Sequence, residues 1–94
     1  MKDDAFEWDE AKAAENEARH GVSFETAREV FKDPFAIERL DDRVDYGEER
    51  FNILGMGDGR LLFVAYTVRN DIIRIISARG AEPHEKRRYH EDNA

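Results

Sequence analysis

The sequence contains no cysteine, so disulfides, thiolate catalysis and cysteine-held metals are all excluded. Its two prolines, Pro34 and Pro83, stand where a helix is expected to stop and to start. No stretch approaches the roughly 20 apolar residues of a membrane span. The opening residues MKDDAFEWDE lack the basic start and apolar core of a secretion signal. The expectation is therefore a cytoplasmic protein with no membrane partner. A surplus of positive charge is missing too: the net charge is −7, the wrong sign for a protein that holds nucleic acid by unspecific attraction alone.

The charge that is present is unevenly spread. Residues 1–49 carry 16 acids and 7 Lys or Arg, a balance of −9, whereas residues 50–94 carry 6 acids and 8 Lys or Arg, a balance of +2. An acidic half joined to an arginine-rich half suits a chain with one surface for a partner and another for phosphate. A solvated acidic surface that only maintains solubility is the plainer explanation. At 94 residues the chain is expected to form one domain, spanning 1–94.

Local signals divide the chain into an α+β pattern. Phe6-Glu7-Trp8 reads as a brief strand or an anchoring segment. Asp9 caps an alanine-rich helix over Glu10–His20, which Gly21 ends. Ser23 caps a second, short helix with an apolar stripe of Phe24, Ala27, Val30 and Phe31, ended by Asp33-Pro34. Strands follow at 35–40, 50–56, 60–69 and 72–79, with a charged loop from Asp41 to Tyr46. Tight turns at Gly57-Asp58-Gly59 and Asn70-Asp71 make the last three strands an antiparallel meander. The 60–69 strand is apolar at nearly every position, as expected of a central strand covered on both faces. Glu82-Pro83 opens a charged C-terminal helix reaching Glu91. The sum is a four-stranded, mainly antiparallel sheet with N-terminal helices and one C-terminal helix.

Several of these segments together resemble a known family. Phe6-Glu7-Trp8-Asp9, Lys12, Asn16 and Arg19-His20-Gly21-Val22-Ser23-Phe24 are similar to the opening signature of the BrnT toxins. Ala27, Phe31, Asp33 and Pro34 continue it, and Gly47-Glu48-Glu49-Arg50-Phe51 resembles the family's entry into its second strand. Ile73-Arg74-Ile75-Ile76-Ser77-Ala78-Arg79, then Glu85, Arg88 and Tyr89, resembles the C-terminal signature. The resemblance implies a RelE-like fold and a ribonuclease that stops translation. It also implies a BrnA-type antitoxin partner, and contact with DNA only indirectly, through that antitoxin. One position departs: the lysine usual after Ser-Ala-Arg is Gly80 here, which removes a cation expected near the cleft.

Metal-free RNA cleavage needs a proton acceptor for the 2′-hydroxyl, a proton donor for the leaving 5′-oxygen, and cations for the charge gathered on phosphorus. Arginine suits the last task, since its fork binds two phosphate oxygens and stays charged. The expected catalytic residues are Arg79, Glu85, Arg88 and Tyr89, with Arg50, Arg74 and His84 as RNA contacts. Arg74 and Arg79 are an odd number apart and point to opposite faces of a regular strand, unless a bulge intervenes. Arg79 is then the better phosphate clamp, and Arg74 is equally suited to a structural ion pair. Glu85, Arg88 and Tyr89 share a helix face. There Glu85 reads as a base, Arg88 as a phosphate ligand and Tyr89 as a stacking or proton-handling group, against the plainer alternative of a Glu85–Arg88 pair and a packed tyrosine. His84 is placed to compensate for Gly80. The three histidines form no metal-ligand pattern, and no cofactor is expected. Trp8, Phe31 and Phe63 read as packing residues, and the acidic segment around Asp41–Glu49 as a solvated loop that could receive a basic antitoxin segment. Two functions follow from different classes: a ribonuclease toxin, or a catalytically weak binding module that acts as co-repressor of a DNA-binding antitoxin.

Overall fold

The computed structural model describes residues 5–43, 45 and 47–93. The first four residues, and Val44 and Tyr46 of the expected charged loop, lie outside the described residues.

Chain order runs β1 (Phe6–Glu7), α1 (Glu10–His20), α2 (Phe24–Glu29), a 3-10 turn (Val30–Lys32), β2 (Ile37–Asp41), β3 (Arg50–Gly57), β4 (Arg60–Arg69), β5 (Ile72–Gly80) and α3 (Pro83–Asp92). The helices begin where the sequence supplies caps. The Asp9 carboxylate accepts the Lys12 N–H at 3.0 Å, and the Ser23 hydroxyl accepts the Thr26 N–H at 3.1 Å. Gly21 ends α1 with a left-handed φ of 68°, its N–H donating to the Glu17 carbonyl. At α3, Glu82 and Glu85 form a reciprocal capping box, with Pro83 in the first turn.

The sheet has five strands in the order β1-β5-β4-β3-β2, one more than the four expected from sequence. The additional strand is the Phe6-Glu7 segment, too short to show a pattern by itself. It lies parallel to β5, with Phe6 opposite Ile73 and Glu7 opposite Arg74. The other pairings form the antiparallel meander. Its turns hold positive φ at Asp58 and Gly59 and at Asn70 and Asp71, the backbone of two-residue hairpins whose twist matches the strands. The 35–40 strand begins later than expected, at Ile37, because Asp33 draws the Phe35 N–H into a turn.

β4 is central, but the expectation that both its faces are covered is corrected. Along it, buried and half-buried positions alternate. Leu62, Val64 and Tyr66 face α1 and α2 and join Ile53, Ile75 and Ala78 with Trp8, Val22, Phe24, Ala27 and Val30 in one core. That face is closely packed: a Cβ on Gly55 would stand 3.0 Å from Val30 and 3.1 Å from Ala36. Asn16 locks α1 to the sheet. Its side-chain amide donates to the Val22 and Ala78 carbonyls at 3.0 and 2.8 Å and accepts the Ala78 N–H at 3.1 Å. A buried side chain thus satisfies the backbone of β5 where β1 no longer reaches it.

The opposite face is only partly covered, by α3. Tyr89 is buried, and its hydroxyl donates to Asp33 at 2.7 Å. The same carboxylate accepts the Met56 and Phe35 N–H groups at 2.8 and 2.9 Å. Burial works against the charge of Asp33, but these three hydrogen bonds outweigh it and hold the carboxyl below its ordinary value. Asp33 therefore pins α3 to β3 and leaves the rest of this face open.

Candidate active site

The open face carries side chains in cross-strand rows. One row is Ile37, Leu54, Phe63 and Arg79, and the next is Arg39, Asn52, Ala65 and Ser77. A third contains Asp41 opposite Arg50 and Thr67 opposite Arg74. Arg39, Arg50, Arg74 and Arg79 of an acidic protein thus emerge from one face of its sheet. The expectation that Arg74 and Arg79 point to opposite faces is corrected here. Between Ala65 and Tyr66 the register shifts, so that β5 spends one extra residue, and the bulge brings both arginines to the same side.

They do not share an environment. Arg74 donates to Glu7 at 2.9 Å across the β1–β5 pairing and serves there as a structural ion pair, one of the two roles its sequence allowed. Arg50 lies half-buried beside Asp41, in the row away from α3. Arg79 lies next to α3, with its guanidinium 4.4 Å from the centre of the Phe63 ring. It donates two parallel hydrogen bonds to Glu85, at 2.8 and 2.9 Å, and approaches Glu82 at 3.3 Å.

A cleft of about 250 Å³ opens between α3 and this face, lined by Arg39–Arg43, Asn52, Phe63, His84, Glu85 and Arg88. Glu85 is its buried edge, with a side chain only 5% exposed. Burial opposes its charge, yet the hydrogen bonds from Arg79 and the Glu82 N–H overcome that and lower its pKa. An ionised carboxylate with both oxygens already engaged is a poor proton acceptor for substrate and a good holder of Arg79. Tyr89 is similarly committed: burial and its bond to Asp33 push its pKa up to about 12. Of the two arrangements considered for α3, the packed tyrosine is present, but Glu85 turns to Arg79 rather than to Arg88.

Arg88 is left in an unusual state. Its Nε and one terminal nitrogen are buried and have no hydrogen-bond partner among the described residues. Buried guanidinium donors without acceptors are costly, and such a group at the edge of a cleft is suited to an anion. Across the cleft, Arg39 is exposed and makes no ion pair among the described residues. His84 stands at the rim, with a side chain 63% exposed.

The structure thus brings together Arg79, Glu85, Arg88, Tyr89 and His84 of the residues expected from sequence, and sets Arg50 and Arg74 apart. Sequence reading missed Arg39 and Asn52, and took Phe63 for core. Their signal was the alternation in β2, β3 and β4, which places positions 39, 52 and 63 on one face once the register is known. The Gly80 departure also changes meaning. Gly80 pairs with Leu62, on the helix-covered side, and Arg60 comes within 2.9 Å of where its Cβ would stand. A side chain at 80 would start away from the cleft, so the glycine takes no cation from it.

A slightly larger hollow, about 280 Å³, lies between α1 and β5, lined by Lys12, Glu15, Asn16, Arg19, His20, Ile76 and Ser77. Arg19 there pairs with Glu15 at the surface, and none of the buried unpartnered nitrogens belongs to it. The cleft beneath α3 is the stronger site.

A cleft lined by Arg39, Arg43 and Arg88 together with Asp41, Asp42 and Glu85 thus lies on the half-open face of a mainly antiparallel sheet. The family model for BrnT, the ribonuclease toxin of type II toxin–antitoxin systems, matches residues 8–85, and the chain belongs to that family. It is a toxin that cleaves RNA, and its system supplies an antitoxin partner. No curated protein matches the chain.

Proposed function

We propose that the cleft beneath α3 is where this toxin cuts RNA, by internal attack of a 2′-hydroxyl and without a metal ion. Arg88 carries the proposal: a positive side chain at a cleft edge, with buried donors that meet no acceptor among the described residues, is suited to bind a phosphate. Arg39 faces it from β2, and Arg79, its charge met by Glu85 and Glu82, holds α3 and the Phe63 ring in place beside the cleft. His84 is the histidine that lines the cleft, and imidazole is the side chain suited to take a proton and return it near neutral pH. Glu85 and Tyr89 act as positioning residues, one for Arg79 and the other for α3.

In this reading the chain is a single RelE-like domain acting in the cytoplasm. It arrests translation until a BrnA-type antitoxin covers it, and it meets DNA only through that antitoxin. The acidic first half supports a basic segment of the antitoxin as its contact. The test is induction of the chain alone in bacteria beside Arg88→Ala, with growth and bulk RNA integrity as readouts. Arrest with fragmented RNA, lost in the variant, is expected. Normal growth with intact RNA from a folded, expressed wild type would replace the nuclease by the co-repressor function.

A further inference from the structure

Asparagine is disfavoured in strand interiors, yet Asn52 sits within β3, in the run Arg50-Phe51-Asn52-Ile53-Leu54, pointing into the cleft. Its amide makes no hydrogen bond among the described residues. Its cross-strand neighbours on β4 and β5 are Ala65 and Ser77, the smallest side chains of that face, so the floor beside it is low. Phe63 lies diagonally across from it, at a spacing of about 7 Å for such neighbours, and is half-buried with one ring face under Arg79. A carboxamide beside an aromatic edge, above small residues and flanked by Arg39, is a combination that phosphate binding alone does not require.

We propose that Asn52 reads a nucleobase, and so sets the RNA sequence preference of the cleft. The inference rests on the proposal that RNA occupies this cleft. The bases of a single strand order the donors and acceptors of their pairing edges differently, and a carboxamide held in one orientation matches some of those edges with two hydrogen bonds and meets others donor to donor. Phe63 and Ala65 form the apolar wall and floor against which the base is held, while Arg39 and Arg88 hold the backbone phosphates on either side.

The experiment uses short 2′-O-methyl RNAs, which internal attack cannot cleave, varied one position at a time and measured by fluorescence anisotropy against the intact protein. Wild type is expected to prefer one base at one position by about tenfold. Asn52→Leu, close in shape but without polar atoms, is expected to bring the preference below about twofold while average affinity holds, because the phosphate contacts remain. Should Asn52→Leu melt earlier than wild type, Asn52→Asp, which keeps one acceptor and loses both donors, is expected to lose the same preference. Absence of any preference in wild type, or the same preference in the folded variants, would overturn the proposal. Lost preference in a protein that cuts no RNA would remove the nuclease reading and leave the base reading standing. Equal cleavage patterns from wild type and Asn52→Leu would do the reverse.

Discussion

The two faces of this sheet are made by the same strands and obey opposite rules. On the helix side, Leu62, Val64, Ile53 and Ala78 are buried, a Cβ at Gly55 or Gly57 would stand only 3.0 Å from its neighbours, and the buried amide of Asn16 has its partners. On the cleft side, one residue along each strand, arginines emerge in rows, Phe63 is half-covered, and buried donors of Arg88 meet no acceptor among the described residues. The first face minimises free energy. The second leaves interactions unmade, and such local departures from good packing mark where a protein reserves contacts for something else.

The largest effect that would break this division lies on the sealed face. Leu62→Ala removes a fully buried side chain from the middle of the core and is expected to cost about 3 kcal/mol, read as a lowered urea midpoint. The cleft side depends on charge instead. Arg79→Ala strands the Glu85 carboxylate, whose side chain is 5% exposed, and is expected to cost about 2 kcal/mol, less than a fully buried pair because Arg79 is 31% exposed. Glu85→Gln can still accept from Arg79 and is expected to cost less in the same titration. If Arg79→Ala leaves stability untouched, the pair does not organise α3.

Acid sharpens the comparison further. Asp33 and Glu85, which tie α3 to β3 and β5, both have pKa values lowered in the folded protein from ordinary values of 3.8 and 4.5. Groups of this sign contribute their full stability above those ordinary values, and lose it as pH falls through the lowered ones. The melting temperature is therefore expected to be flat near neutral pH and to fall below about pH 4. Asp33→Asn is expected to flatten that fall. An unchanged acid limb in Asp33→Asn would show that the anchor of α3 lies elsewhere.

What the sequence made legible follows from the reach of each signal. Caps at Asp9 and Ser23, the stop at Gly21 and the turns at Asp58-Gly59 and Asn70-Asp71 act within a few residues, so helices and hairpins could be placed from residues alone. The parallel pairing of Phe6 and Glu7 with β5 joins positions more than 60 apart, and two residues carry no periodicity from which to infer it. The bulge in β5 was equally hidden, and without it Arg74 and Arg79 fall on opposite faces. The site was legible in its α3 part, where Glu85, Arg88 and Tyr89 share a helical spacing. Arg39 and Asn52 became visible only when register brought β2 and β3 alongside β4. Their roles separate by contact rather than by residue type: Arg74 pairs with Glu7 and Arg79 with Glu85, whereas two buried nitrogens of Arg88 meet no acceptor among the described residues.

That difference between arginines of one face is what a single measurement can test. Purified wild type, Arg88→Ala and Arg74→Ala, each with its melting curve, would be compared for cleavage of one RNA. The cleft account predicts a loss of about 100-fold for Arg88→Ala at unchanged or higher stability, and near-normal cleavage by whatever fraction of Arg74→Ala remains folded. Full activity in a folded Arg88→Ala protein, or a loss confined to Arg74→Ala, would place the chemistry outside the cleft beneath α3.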